Sequence, residues 1–158
     1  MKPEQEPDDE ITPPGTPDDG DMTDMLGELR VLLPTAQLLS GFLIAVPFAA
    51  GFGAVVRAEK HVFLATFVLS VASLVLFTAP AVQHRLMRPL AQRAKFKTLA
   101  SRQMLTGAAL LSLALVLATQ FVLSEVLGNG VGNLAALGIG CLIAGVWFIA
   151  PLRWKRRY

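Results

Sequence analysis

Four separate apolar runs of about 20 residues each divide this 158-residue chain, and no other feature constrains its fold as strongly. A run of that length, wound as a helix, crosses a bilayer core of roughly 30 Å. In lipid the backbone must satisfy its own polar groups, so such a run has to be helical. The runs lie at about residues 35–55, 62–83, 103–126 and 131–152. Composition agrees: 53% hydrophobic against 16% charged leaves too little charge to cover a soluble domain. The expected fold is an all-α membrane protein, a four-transmembrane-helix bundle over residues 34–153 with a short amphipathic helix before it.

Charge is distributed unevenly. Residues 1–30 hold ten acids and two bases, Lys2 and Arg30. The rest of the chain holds two acids, Glu59 and Glu125, with twelve bases. Two bases, Arg57 and Lys60, fall in the connection between the first two runs, and none falls in Gly128-Asn129-Gly130. The other twelve fall on the opposite side, six of them between the second and third runs and four in the basic tail at 154–158 and just before it. Lys and Arg collect in cytoplasmic loops, so both termini and the central connection are expected in the cytoplasm. Trp147, Trp154 and Tyr158 suit an aromatic anchor at that interface. A basic balance of this origin is topological and does not point to nucleic acid.

Residues 1–21 are rich in Asp, Glu, Pro and Gly and cannot bury enough surface to offset ordering entropy, so disorder is expected. They lack the basic region and apolar core of a cleaved signal, which makes the first run an uncleaved span. Between 22 and 33, Met22, Met25, Leu26 and Leu29 recur at helical spacing, with Asp21 or Thr23 placed to cap. This reads as a short helix lying in the interface, with Pro34 marking a break or the first turn of the next helix. Pro47 predicts a kink in the first span. Ser70, Ser73 and Thr78 of the second can bond their own backbone or a neighbouring helix. The basic stretch at 84–102 fits an interfacial helix broken at Pro89, or an extension of the third span. A parallel 2+2 repeat is suggested by Ala79-Pro80 against Ala150-Pro151, and by Ser40-Gly41 against Thr106-Gly107.

Two groups of polar residues stand out. On the outer side, Gln120, Ser124 and Glu125 lie near the end of the third span, and ionisable groups within membranes often mark ion or proton pathways. An interfacial helix end for Glu125 and ordinary hydrogen bonding between helices for Gln120 and Ser124 are the plainer readings. On the cytoplasmic side, Glu28, Arg30, Gln37, His84 and Arg85 are placed to meet in one cluster, with His84 and Arg85 available to a lipid phosphate. Arg57, Glu59 and His61 suggest a salt-bridged cap on the outer hairpin. Cys141 is alone, so no internal disulfide and no zinc spacing exists. No nucleophile-and-base set, nucleotide loop or haem motif is present, and no cofactor or enzymatic activity is expected.

Several of these pieces occur together in a known family. Glu28 to Pro34 with Gln37, Pro47-Phe48, the Arg57 to Phe63 stretch, Ala79-Pro80 with His84-Arg85, and the Trp147 to Pro151 exit resemble the family of unknown function numbered 6328. Its members are small, mostly actinobacterial membrane proteins. The resemblance covers roughly residues 25–152 and implies four helices with no established activity, in a bacterial cytoplasmic membrane. The function expected is that of a non-enzymatic scaffold or interaction protein, with a homodimer through Gly-rich faces as one form. A small oligomeric transporter or proton-coupled carrier is the alternative, and a protein binding anionic lipid headgroups is the second.

Overall fold

The computed structural model describes residues 17–86 and 93–155. The acidic stretch at 1–16, the expected break at Pro89 and the anchor at Tyr158 lie outside the described residues.

Four helices in it are long and apolar enough to cross a membrane, over Gly27–Phe48, Arg57–Leu86, Lys95–Leu127 and Asn129–Trp154. Helix α1 is Pro17–Ala45, α2 is Arg57–Leu86, α3 is Arg93–Leu127 and α4 is Asn129–Ile143, which continues into the short α5, Ala150–Lys155. Described residues contain no strand.

Several boundaries differ from those read off the sequence. No separate amphipathic helix ends at Pro34, because α1 runs unbroken from Pro17 through Pro34 to Ala45. Proline removes one hydrogen bond from a helix interior, and long apolar helices tolerate that loss when neighbours support them. Met25 and Leu29 therefore pack in the core beside Phe96 and Ala100 of α3 instead of lying in an interface. Pro47 does not kink a longer helix. It starts a 3-10 turn, Val46–Phe48, after which the backbone becomes extended at Ala49. A second 3-10 turn, Phe52–Ala54, follows Gly51, whose φ of 99° favours glycine. Arg57 to His61 is helical and forms the first turn of α2. The described part of the basic stretch, from Arg93, is the start of α3.

The helices alternate in direction. Along α2 and α3, Phe63 meets Phe121, Phe77 meets Gly107 and His84 meets Phe96, an antiparallel register. Gly128 alone separates α3 from α4, at φ 91°. Helix α1 packs mainly on α2 and lightly on α3, whereas α4 packs on α3 and touches neither α1 nor α2. The four helices form an open row, three around one core with α4 on its flank. Lipid tails cover an apolar helix face as well as protein does, so no hydrophobic force closes the ring.

Polar groups occupy the middle of the core. The buried face of α2 reads Glu59, Phe63, Thr66, Ser70, Ser73, Phe77 and Pro80. Ser40 of α1 and Ser70 share a buried hydrogen bond of 2.8 Å, and Ser73 donates to the Ser70 carbonyl at 2.7 Å. Thr66, Ser112 and Thr119 turn back onto carbonyls of their own helices. Apolar clusters flank this layer. One gathers Met25, Leu29, Ala36, Phe77, Phe96 and Leu111, the other Leu43, Phe63 and Phe121. Phe77 seals the centre against Gly107, where an added Cβ would stand 2.8 Å from its ring. The helix from α4 to α5 widens over Ala144–Ile149 into a π turn, in which the Ala150 N–H donates to the Gly145 carbonyl. Pro151 follows directly, and its missing donor accounts for the altered ladder.

The paired motifs of the suggested repeat occupy unlike positions. Gly107 is packed tightly on Phe77, whereas a Cβ at Gly41 would meet nothing within 4 Å. Pro80 is fully buried and Pro151 is exposed.

Candidate functional site

The two ends of the helix row carry polar groups of different character. At the hairpin end, where α1 joins α2 and α3 joins α4, three side chains meet in the interior. Gln120 and Ser124 stand one turn apart on the same face of α3, and the Gln120 Nε2 donates to the Ser124 Oγ at 2.9 Å. The same Nε2 reaches the Glu59 Oε1 at 3.5 Å, a long contact. Glu59 comes from the first turn of α2 and is only 6% exposed. Its Oε2 has no hydrogen-bond partner, and neither has the Gln120 Oε1. No ion pair reaches Glu59 among the described residues.

Close helix contact builds this site. Gly132 of α4 abuts the α3 backbone, and a Cβ there would lie 2.8 Å from the Ser124 nitrogen and 2.9 Å from the Gln120 carbonyl oxygen. The segment joining α1 to α2 lies against the neighbouring core: Phe52 and Val55 pack on the cluster of Phe63 and Phe121, with Phe52 edge-on to Phe63 at 5.2 Å. Lys60 fastens this segment by donating to the Gly53 carbonyl at 3.0 Å, with its ammonium 5.8 Å from the Phe52 ring centre. Lys60 follows Glu59 directly, and one helical step of about 100° turns the two side chains to different faces.

The sequence-based site is therefore half assembled and half revised. Gln120 and Ser124 are joined, while Glu125 is exposed and shares no hydrogen bond with either. The carboxylate that reaches Gln120 is Glu59. The cap of Arg57, Glu59 and His61 does not form, since Arg57 and His61 are exposed while Glu59 points inward. One signal could have found Glu59. The three- and four-residue spacing of the buried α2 face, read backwards from Ser70 through Thr66 and Phe63, arrives at Glu59.

At the opposite, basic end the five residues expected to cluster are not joined. Glu28, Arg30, Gln37 and Arg85 are exposed, and no hydrogen bond or ion pair links any of the five. His84 is half-buried, its ring 5.8 Å from that of Phe96. Leu29 explains the arrangement: it points into the core, so Glu28 and Arg30 on either side of it point away. Gln83 and Gln103 each keep a buried carbonyl oxygen without a partner at this end. The described residues hold no group of three His, Cys, Asp or Glu able to bind a metal.

Comparison with known proteins identifies a family and adds no activity. The profile of a family of unknown function, numbered 6328, matches residues 16–151, and the chain belongs to that family. No curated protein and no solved structure matches it.

Proposed function

We propose that this chain is a non-enzymatic scaffold or interaction protein of a bacterial cytoplasmic membrane, multi-pass with both termini cytoplasmic, which acts through lateral contacts of α4 with a second copy of the chain. The observation that carries the reading is the isolation of α4. It packs on α3 alone, and Leu134, Leu137 and Leu142 on its other faces are exposed. Gly138 and Gly145 sit two turns apart with open space where a Cβ would be, and Cys141 is exposed between them. Small residues let helices approach closely in lipid. The α1–α3 interior, by contrast, is closed at its centre by Phe77 on Gly107. Orientation rests on the base count, with twelve of fourteen Lys and Arg assigned to one side. Oxidative crosslinking of native Cys141 in membranes tests the contact. A disulfide-linked dimer that disappears in Cys141→Ser and weakens in Gly138→Leu is expected, and a chain that stays monomeric throughout overturns the reading.

A second reading, a small oligomeric or proton-coupled carrier, is favoured by Glu59, because a buried carboxylate in a membrane helix is costly and tends to be functional. Flux into proteoliposomes, abolished in Glu59→Gln and retained in Glu125→Gln, is its expected signature. Anionic headgroups fit the basic end, where Lys95 and Arg102 line an open groove with Thr98 and Leu99 on one face of α3.

A further inference from the structure

We infer that Glu59, Gln120 and Ser124 form a binding site for an alkali-metal cation. Glu59 is 94% buried by its 6% exposure, and one of its two oxygens accepts nothing. A carboxylate removed from water needs either a pairing charge or a full set of donors. Among the described residues Glu59 has neither: its only donor there is the Gln120 amide at 3.5 Å, and the nearest lysine in sequence, Lys60, is committed to the Gly53 carbonyl.

The charged groups around it do not supply compensation. On α2, Arg57 and His61 are exposed; on α3, Glu125 is exposed and of the wrong sign. Residues 31–56 and 126–152, which cover α1 from Val31 onward, the connecting segment and α4, contain no ionisable side chain other than Cys141.

The chemistry selects the ligand class. The available atoms are a carboxylate, an amide carbonyl and a hydroxyl, all hard oxygen donors. One carboxylate balances one positive charge, which fits a monovalent cation and falls short of the several carboxylates usual around a divalent one. Gln120 can serve both states of such a site. Its Nε2 now faces the Glu59 Oε1 and the Ser124 Oγ, while its Oε1 has no partner. A half-turn of the amide brings that oxygen to the place of the Nε2, which lies 3.5 Å from the Glu59 Oε1 and 2.9 Å from the Ser124 Oγ, and so groups carboxylate, carbonyl and hydroxyl oxygens. The amide thus donates a hydrogen bond to the empty anionic site and offers its carbonyl oxygen as a ligand in an occupied one. Occupancy would tie the first turn of α2 to α3 close to the contact with α4. The site depends on neither the scaffold nor the carrier reading, since binding need not accompany transport.

Thermal unfolding of the purified full-length protein in micelles tests the assignment, in NaCl, KCl, LiCl and choline chloride at equal ionic strength and pH. A concentration-dependent rise of the midpoint in at least one alkali chloride over choline, absent in Glu59→Gln, is expected. Equal midpoints in all four salts overturn it and leave Glu59 as a buried helix-end acid that binds no cation. A rise that persists in Glu59→Gln overturns it as well. Should Glu59→Gln fail to fold, Ser124→Ala decides: a severalfold higher half-saturating salt concentration supports the site, and an unchanged one overturns it.

Discussion

The hairpin end and the basic end of this protein reverse the ranking that charge alone would give them. Most of the bases in the described residues lie at the basic end, yet the charged side chains singled out there, Glu28, Arg30 and Arg85, are exposed and unpaired with one another. The hairpin end holds few charges, and one of them, Glu59, is sealed between helices with an unpartnered oxygen. Exposed charges are solvated and interact weakly. A buried one costs free energy unless it is compensated, so it persists only where the structure or its ligand requires it. For a membrane helix, the position of a polar group relative to the packed face therefore matters more than how many such groups lie nearby.

Five substitutions would break or sharpen this contrast. The largest effect is expected from Gly132→Leu, because the new side chain would collide with the backbone at Ser124 and Gln120. Loss of about 3 kcal/mol, or detachment of α4, should appear as a lowered unfolding midpoint and faster proteolysis of the α3–α4 hairpin. Glu59→Met should act in the other direction when measured in choline chloride. Replacing a buried, poorly satisfied charge by an apolar group of similar length is expected to raise stability by about 1 kcal/mol or more. A fall of that size would mean that Glu59 is already satisfied, and the contrast between the ends would collapse. Ser40→Ala removes the interhelical bond to Ser70, and roughly 0.6 kcal/mol is expected from such bonds in membranes, readable by unfolding in mixed micelles. Glu28→Gln and Arg85→Gln should leave the midpoint unchanged and should be additive. A coupling between them in a double-mutant cycle would show a cytoplasmic cluster that the packing does not.

Much of the fold could be read directly. Four apolar runs announced four helices, and the uncharged Gly128-Asn129-Gly130 turn announced an α3–α4 hairpin. Helix ends were harder to place. Pro34 and Pro47 carry the same local signal, but α1 continues through the first and stops before the second. Met25 and Leu29 find a partner surface on α3 that supports the helix around Pro34, whereas beyond Ala45 the chain must turn back towards α2. At the candidate site, Gln120 and Ser124 were visible as an i, i+4 pair on one helix. Glu59 read as part of a salt-bridged cap with Arg57 and His61, because its actual partner lies 61 residues away on another helix.

The sequence by itself determined that the chain forms helices able to cross a membrane, how many there are, and where the short connections fall. Those properties follow from local hydropathy and from the need of each segment to satisfy its own backbone in lipid. Tertiary structure alone decided which faces pack. The hydrophobic pattern is silent on that point, since lipid and protein interior reward an apolar face equally and the packed faces are chosen by small and polar residues. For that reason only the packed structure shows α4 standing outside the three-helix core, and Glu59 rather than Glu125 turned into the protein.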